Sequence, residues 1–242
     1  EQWAVFIGYP LSGEFDGVKC ELALTAFIEQ CKPEVVWFIG LEIPPILRSR
    51  ASSHQSDRYY QLDLARWEPK QSLLRQVCRA RGVLDVRMVR RYDAEHERLA
   101  DDLLAHRDLP PLVQALYRSM PTYVASCDSA LVLEARRTDG GLAAFFVIDT
   151  GAKAFDTYML GCYARNPYTP HASDLLFYNM VERARQSGKV ALNLGLGVND
   201  GIRHFKTKWG GTPFLRYEYC EYRPPRSAIR SLLAALMGFE KR

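Results

Sequence analysis

The sequence predicts a mixed α/β fold in which a mostly antiparallel sheet is flanked by helices. Short apolar runs end at glycine, segments with helical spacing lie between them, and one strand–helix–strand unit occurs twice. The first unit places Gly8 and Gly40 at its strand ends, and the second places Gly161 and Gly195 there. Because the two glycine pairs have nearly the same spacing, we predict a tandem repeat of one α/β unit, with the first copy incomplete at its N-terminal side.

The composition is that of a folded domain. The chain of 242 residues is 48% hydrophobic and 25% charged, which suffices for one large domain or two modest ones. No apolar run approaches the roughly 20 residues that cross a bilayer. The first residues contain neither a basic segment before an apolar stretch nor an initiator methionine, so we expect no signal peptide and a chain trimmed upstream. The net charge of +4 is compatible with an anionic partner without requiring one.

The cysteines are scattered through the chain without any C-x-x-C pair. They are Cys20, Cys31, Cys78, Cys127, Cys162 and Cys220. Because zinc sites need ligands at short spacings, we predict no metal site. We interpret the cysteines as reduced core thiols of a cytoplasmic protein.

The N-terminal third predicts a strand, a helix, a second strand, a loop and a helix. Strand formers at Trp3–Tyr9 precede a helix at Glu21–Cys31, in which apolar residues recur at helical spacing. A second strand of buried type covers Glu34–Gly40. The polar, serine-rich segment 46–58 is predicted to be a surface loop, and a short helix then ends at Gly82.

The following segments predict one strand, a long helical region and three more strands. The first strand covers residues 85–92, and Pro110 and Pro111 break the helical region at 94–124. A turn at Asp139–Gly141 joins the next two strands. These strands and the third cover residues 129–137, 142–149 and 154–164.

The last part of the chain predicts a helix, a strand, a short helix and a final strand. Ser173 as N-cap and Gly188 as C-cap delimit the first of these helices. The two strands cover residues 189–195 and 215–222, on either side of the short helix. Residues 224–242 predict an amphipathic helix with basic ends, which either docks on the protein or lies on an anionic membrane surface.

The segment LNLGLGVNDGIRHFKTKWGG, residues 192–211, places glycines where a strand gives way to a helix. Its spacing, Gly195-x-Gly197-x-x-x-Gly201, differs from the G-x-G-x-x-G of dinucleotide-binding folds, and no acidic residue follows about 20 positions later at a strand end. No G-K-[ST] follows either. Both nucleotide-binding motifs are therefore excluded.

The order of elements from Asp85 onward is that of the GNAT acyltransferase fold. Within it, Asn193-Leu194-Gly195 ends a strand and precedes the pattern G-I-x-x-F-K-x-x-W-G, residues 201–210. This arrangement resembles the C-terminal half of the Fem-type (FemABX) peptidyltransferases and of the FemAB-like acetyltransferase-6 group. The resemblance covers residues 85–222. It implies tandem GNAT-like domains, with an incomplete unit at 1–84, a complete domain at 85–223 and the C-terminal helix at 224–242.

The resemblance also implies transfer of an acyl or aminoacyl group from an activated donor to an amine. In GNAT folds the donor lies where the fourth and fifth strands separate. A backbone N–H faces the acyl carbonyl there, and a helix N-terminus attracts phosphate. The implied donor-binding residues are Met159, Leu160, Gly161, His171, Gly195, Gly197 and Asn199.

The implied catalytic residues are Lys206, His204 and Tyr163. Lys206 is the lysine of the F-K pair and would stabilise ester or phosphate charge, although a surface lysine is the alternative interpretation. His204 is the one comparable proton donor on the 201–209 helix, where acetyltransferases have a tyrosine for the leaving thiolate. Tyr163 is implied as a substrate contact.

Weaker candidates lie outside this motif. Asp149 and Asp156 flank a hairpin, so either is a candidate general base, with a solvated carboxylate as the alternative. Arg48, Arg50 and Arg58 are candidates for binding an anionic acceptor, with a solvated loop as the alternative.

The donor stays open between acyl-CoA and aminoacyl-tRNA. The loop Arg165–Asp174 contains no glycine, and its two prolines offer no N–H to a pyrophosphate, which argues against acetyl-CoA. The long coiled-coil arm of many Fem-type tRNA users is missing, which argues against tRNA. We expect no tightly bound cofactor, a small-molecule or peptide-like amine as acceptor, and no DNA. A non-catalytic GNAT-like binding module is the alternative.

Overall fold

The computed structural model describes residues 2–48 and 51–224. The predicted C-terminal helix, apart from Pro224, and Arg50 therefore lie outside the described residues. The elements in chain order are β1 (Trp3–Ile7), α1 (Gly17–Cys31), β2 (Val35–Gly40), α2 (Pro45–Arg48), β3 (Ala51–Asp63), α3 (Gln71–Arg81), β4 (Leu84–Val89), α4 (Ala94–His106), α5 (Pro111–Ser126), β5 (Ala130–Arg137), β6 (Leu142–Asp149), β7 (Phe155–Tyr163), α6 (Ala172–Gln186), β8 (Ala191–Leu196), α7 (Asp200–Lys208) and β9 (Thr212–Tyr222).

The chain divides into two compact units. The first contains the described residues up to Tyr59 and from Phe214 onward, and the second runs from Tyr60 to Pro213. The division falls inside β3 and β9, whereas the predicted domain boundary falls between residues 84 and 85. Compactness and internal repetition are different criteria, so the predicted boundaries stay a prediction.

The first unit has the strand order β1-β2-β9-β3. β1 and β2 are parallel and are joined through α1, while β9 is antiparallel to β2. Helix α1 begins at Asp16, whose side chain accepts hydrogen bonds from the backbone N–H groups of Val18 and Lys19. Leu24 of α1 is fully buried, and it belongs to the same core cluster as Phe38 of β2.

The predicted surface loop at 46–58 is wrong. The described residues of this segment belong to α2 and to β3, a strand of 13 residues. Most side chains of this segment are exposed, and few of them are of strand-forming types. Its composition therefore gave no strand signal. Its neighbour in the sheet order is β9, which lies far away in the sequence. Tertiary pairing therefore overrides the local preference.

The second unit has the strand order β8-β7-β6-β5-β4, and the end of β3 lies beside β8. β4 to β7 are antiparallel, and β7 is parallel to β8. Residues of β5 alternate between two core clusters, because successive side chains of a strand point to opposite faces. Leu131 and Leu133 join the cluster that contains α6, and Val132 joins the one that contains residues of α4 and α5.

The ends of helices α4, α5 and α6 agree only in part with the local predictions. The break at Pro110 and Pro111 separates α4 from α5 as expected. The predicted N-cap at Ser173 is wrong, because α6 is preceded by His171 in a left-handed conformation. The C-cap of α6 is Ser187, and Gly188 follows it with a φ of 70°.

The cysteines form no disulfide among the described residues. The interpretation as core thiols holds only for Cys162 and Cys220, which are buried, whereas Cys31 and Cys78 are exposed.

Both units contain a strand–helix–strand element with parallel strands, β1-α1-β2 in the first and β7-α6-β8 in the second. The kinship of these two elements as tandem copies, and the incompleteness of the first, stay predictions. None of the helices in the described residues is long and apolar enough to cross a membrane.

Candidate active site

The parallel strands β7 and β8 separate part of the way along their length. They are paired at Phe155↔Ala191, Asp156↔Leu192 and Thr157↔Asn193, yet β7 continues to Tyr163 and β8 to Leu196. The equivalent strands of the first unit stay paired in register from Trp3↔Val35 to Ile7↔Ile39. An opening between parallel strands is therefore a property of the second unit.

A β-bulge lies at the start of this opening. Val147 of β6 is paired with Leu160 and Ile148 with Tyr158, so Met159 is an extra residue without a partner in the register. An extra residue of this kind is left out of the hydrogen-bond ladder and re-aims its neighbours. The predicted donor-binding residues Met159 and Leu160 therefore lie at an irregularity that can free a backbone N–H.

Gly161 follows the bulge, at a position where the space is too small for a side chain. A Cβ at this position would lie 2.4 Å from the Phe146 ring and 2.7 Å from the Tyr158 hydroxyl. Its carbonyl accepts a hydrogen bond of 3.0 Å from the Tyr117 hydroxyl of α5. Burial raises the pKa values of Tyr117 and Tyr158, so both phenols are neutral at physiological pH and can donate hydrogen bonds.

The end of β8 has an unusual backbone. Gly195 has a φ of 72°, which favours glycine, and its N–H donates a hydrogen bond of 2.9 Å to Oδ1 of Asn193. Val198 has a φ of 55°, which is costly for a β-branched residue. Asn199 then caps α7, its side chain accepting from the N–H of Ile202 at 3.0 Å.

Lys206 is the buried cation of this region. Only 4% of it is exposed, so the interpretation as a surface lysine is wrong. Its ammonium donates a hydrogen bond to the Leu196 carbonyl and lies 5.7 Å from the centre of the Tyr60 ring. A Cβ built on Gly195 would lie 3.9 Å from Nζ and 3.5 Å from the Tyr158 carbonyl. Lys206 therefore lies beside the point where β7 and β8 diverge.

Helix α7 is fixed against α6 by Trp209. Its indole N–H donates a hydrogen bond of 3.0 Å to the buried carboxylate of Asp174, which also pairs with Lys208. The Phe177 ring of α6 stacks on the Trp209 indole. These contacts fix the helix that carries Lys206. Trp209 is therefore a core residue, 1% exposed.

The N-terminus of α6 is poorly suited to a pyrophosphate. Asp174 places a carboxylate in the first turn, and its Oδ2 lies 3.3 Å from Nδ1 of His171. The preceding loop contains Pro167 and Pro170, which have no N–H. The structure thus adds a fixed negative charge to the absence of glycine that the sequence already indicated.

The other predicted residues are placed less centrally. His204 is exposed and lies two positions before Lys206, so the two side chains project from nearly opposite sides of α7. Tyr163 is 40% exposed at the end of β7, where its ring contacts that of Tyr168 edge-on. Gly197 accepts a hydrogen bond from the N–H of Asn199 in the turn after β8. The catalytic and binding roles of these residues stay predictions.

The two weaker general-base candidates are held by structural partners. Asp149 accepts hydrogen bonds from Tyr123, Ser129 and the N–H of Gly151. Asp156 is fully buried and pairs with two cations, Arg183 and Lys189.

The sequence interpretation missed Tyr60, Tyr117, Tyr158 and Asp174 as members of this region. Tyr60 and Tyr117 lie on elements distant in sequence, and no local signal identifies them. Tyr158 directly precedes the predicted donor-binding residues Met159, Leu160 and Gly161. Asp174 was placed only at the end of the loop Arg165–Asp174.

A small cavity of about 210 Å³ lies between α4 and α5 of the second unit. Its lining includes two phenols, Tyr92 and Tyr117, and two carboxylates, Glu97 and Asp101. The Tyr92 hydroxyl is buried and has no hydrogen-bond partner in the described part of the chain. Tyr117 connects the cavity to Gly161 of β7.

This architecture is that of a GNAT-like fold. The L-PGS structure from Bacillus licheniformis has a TM-score of 0.57 at 16% identity, covering 96% of this chain and 81% of that one. The C-terminal domain assigned to a lysylphosphatidylglycerol synthetase from Agrobacterium fabrum has a TM-score of 0.56 at 19% identity, covering 98% and 82%. A GCN5-related N-acetyltransferase from Kribbella flavida has a TM-score of 0.55 at 12% identity, covering 90% and 79%.

A tandem GNAT protein from the clavulanic acid biosynthesis pathway is similar as well, with a TM-score of 0.54 at 13% identity over 87% of this chain and 70% of that one. No family model and no curated protein matches the sequence. At these identities the similarity defines the fold, a mixed α/β sheet flanked by helices that acyltransferases use. This similarity does not distinguish Fem-type proteins from other proteins with a GNAT-like fold, so the Fem-type relationship stays a prediction.

Proposed function

We propose that this protein is an acyltransferase of Fem type that transfers an acyl or aminoacyl group from an activated donor to an amine. The observation that carries the proposal is the opening between β7 and β8, which begins at the bulge at Met159. A Cβ on Gly195 of β8 would lie within 4 Å of both the Tyr158 carbonyl and the buried ammonium of Lys206. A backbone N–H freed by a bulge and a fixed cation are the groups that stabilise the oxyanion of acyl transfer. The GNAT-like neighbours include acyltransferases, which supports the same class of reaction.

In the proposed reaction, the amine nitrogen attacks the donor carbonyl and forms a tetrahedral oxyanion. Breakdown of this oxyanion releases the leaving oxygen or sulfur of the donor, and the nitrogen loses its extra proton. The N–H groups beside Met159 and Leu160 stabilise the oxyanion. Lys206 stabilises the negative charge of the leaving group. His204 and Tyr163 are proposed to assist at the exposed ends of the opening.

We favour an aminoacyl ester, such as an aminoacyl-tRNA, over acyl-CoA as donor. The carboxylate of Asp174 places a negative charge in the first turn of α6, and the prolines at 167 and 170 remove N–H donors from the loop before it, so a pyrophosphate is disfavoured there. The name of one neighbour, a lysylphosphatidylglycerol synthetase, denotes attachment of a lysyl group, which supports aminoacyl transfer as a reaction of this fold.

The acceptor amine is proposed to bind in the cavity between α4 and α5. An ammonium group is attracted by carboxylates and by the faces of aromatic rings, and Glu97, Asp101, Tyr92 and Tyr117 supply both. The Tyr92 hydroxyl would gain the hydrogen-bond partner that it lacks among the described residues. The proposal includes a cytoplasmic location, with membrane contact through the segment beyond Pro224.

The proposal is tested by donor consumption with purified protein. Charged tRNA and acetyl-CoA, each labelled in the acyl group, are incubated with a panel of primary amines. Wild type is compared with Lys206→Met, Lys206→Arg and Lys153→Met, the last being an exposed lysine outside the site. Loss of one strong charge-assisted contact in the transition state predicts a fall of about 100-fold or more for Lys206→Met.

The expected result is amine-dependent transfer from charged tRNA by wild type and Lys153→Met, with little transfer by Lys206→Met. Lys206→Arg should also be poor, because a planar guanidinium does not fit the position of a compact ammonium. Equal rates for wild type and Lys206→Met would overturn the role of Lys206. Saturable donor binding without transfer to any amine would favour the second candidate, a non-catalytic binding module. The unfavourable α6 N-terminus is the observation that supports that candidate.

A further inference from the structure

The first unit contains a cavity of about 630 Å³, a volume typical of small-molecule sites. Residues 51–54 of β3 and the side chains of Arg216 and Glu218 of β9 line one part of it. Glu42 and Arg48 line another part. None of these residues belongs to the β7–β8 opening, so the cavity is independent of the proposed transfer site.

The cavity is organised around the buried carboxylate of Glu218. It accepts hydrogen bonds from Nε2 of His54 at 2.8 Å, from the Ser56 hydroxyl at 2.9 Å and from the Arg216 guanidinium at 3.2 Å. Burial alone would raise the pKa of Glu218, but these three donors lower it, so the carboxylate is ionised. Its charge is compensated by its own neighbours.

This arrangement orients His54 and Arg216. An ionised carboxylate only accepts hydrogen bonds, so Nε2 of His54 carries the hydrogen and Nδ1 remains for another partner. The His54 side chain is 56% exposed, against 8% for that of Glu218. A buried carboxylate thus fixes an accessible imidazole at the lining of the cavity.

Arg48 adds a positive charge to the lining of the cavity. Its Nε donates a hydrogen bond of 2.9 Å to the Ile43 carbonyl, which fixes the guanidinium on α2. Within residues 2–48 and 51–224 it forms no ion pair. The carboxylate of Glu42 is exposed at the rim of the same cavity. The lining thus has two guanidinium groups and two carboxylates. Arg216 is paired with Glu218, so Arg48 is the guanidinium that remains for a ligand.

We propose that this cavity binds a small anion that carries a phosphate or carboxylate group. Arg48 contributes the main charge through its guanidinium, Arg216 contributes further N–H donors, and His54 lies at the cavity lining beside the bound anion. A guanidinium presents paired donors that match the oxygens of both groups. Arg48 was a candidate for binding an anion on sequence grounds, and its place in the cavity lining supports that role. It goes beyond acyl transfer, because it requires neither the donor nor Lys206.

The test is calorimetric titration of the full chain with three probes at matched ionic strength: inorganic phosphate, glycerol 3-phosphate and succinate. Wild type is compared with Arg48→Gln and with Arg58→Gln, which removes an exposed arginine of β3 that does not line the cavity. Circular dichroism verifies that all three proteins are folded. In parallel, labelled histidine side chains are observed by NMR, with the His54 signal assigned by His54→Gln among the five histidines.

The expected result is saturable binding of at least one probe to wild type and to Arg58→Gln, with a shift of the His54 signal. Removal of a charged hydrogen-bond donor predicts binding weaker by about tenfold or more in Arg48→Gln. A response to the two phosphates but not succinate identifies the ligand as a phosphate, and the reverse identifies a carboxylate. The proposal is overturned if no probe binds to wild type, if Arg48→Gln binds equally well, or if the His54 signal does not move.

Discussion

At the residue scale, two glycines share a backbone conformation but differ in their surroundings. Gly195 and Gly188 have φ values of 72° and 70°. A Cβ at Gly188 would meet nothing within 4 Å, whereas a Cβ at Gly195 would contact the Tyr158 carbonyl and approach Nζ of Lys206. A difference in activity between the alanine variants at these two positions therefore reflects the contacts around Gly195 and not the backbone strain that both share.

We expect Gly195→Ala and Gly188→Ala each to lower the free energy of unfolding by roughly 1–2 kcal/mol, the cost of a left-handed conformation for a residue with a side chain. Acyl transfer should fall by about tenfold or more in Gly195→Ala alone, because small displacements in a reacting geometry are costly. Urea unfolding and the donor-consumption assay provide the two measurements. Equal activity of the two variants would place the reaction elsewhere.

At the scale of elements, Asp149 connects a helix, a strand and a turn. Its carboxylate accepts hydrogen bonds from Tyr123 of α5, from Ser129 just before β5 at 2.8 Å and from the N–H of Gly151 at 2.9 Å. Burial raises the pKa of Asp149, but these donors outweigh burial and leave it below its ordinary value. The ionised form therefore stabilises the second unit.

A lowered pKa in the folded state gives a defined pH dependence. The contribution of Asp149 is present above the unfolded value of about 3.9 and is lost as the pH falls through the lower folded value. We expect Asp149→Asn to be less stable than wild type at pH 7, and the difference to shrink between about pH 5 and pH 3. Urea unfolding at several pH values measures this.

Asp128→Asn is the matched control for this prediction, because Asp128 is exposed and its carboxylate takes part in none of these hydrogen bonds. Its stability difference from wild type should be small at every pH. A constant difference between Asp149→Asn and wild type down to pH 3 would contradict the assignment of the ionised network.

The elements also explain which parts of the fold the sequence could predict. Helices broken by proline and strands of apolar residues were predictable, because their signals are local. β3 was missed, because a polar strand becomes a strand through pairing with residues far along the chain. The same limit applies to its side chains, since His54 and Glu218 are 164 positions apart in the sequence.

The candidate site follows the same rule. Lys206 and Gly195 were predictable, because they belong to one contiguous motif. The bulge at Met159 depends on the register between β6 and β7, which a single strand does not encode. Tyr60 and Tyr117 reach the region from distant elements, so only the folded chain brings them close to Lys206 and Gly161 respectively.

At the scale of the whole molecule, the net charge of +4 bears on the choice of donor. A tRNA carries many phosphates, so its binding releases counterions and weakens as salt is added. A CoA thioester carries few charges, and its binding to GNAT folds depends mainly on pyrophosphate recognition, which the α6 N-terminus disfavours here. The salt dependence of binding is therefore a property that distinguishes the two donors.

We expect charged tRNA to bind with an affinity that falls by roughly twentyfold to fortyfold between about 50 and 200 mM salt, as for about three phosphate contacts. Acetyl-CoA and free CoA should give no saturable binding at micromolar concentration. Fluorescence anisotropy with labelled tRNA, and calorimetry with the CoA compounds, make the measurements on the same preparation.

Tight CoA binding would reverse the choice of donor, because it would mean that groups other than the α6 N-terminal amides hold the pyrophosphate. A tRNA affinity that does not change with salt would exclude contact through phosphates and thereby the tRNA donor.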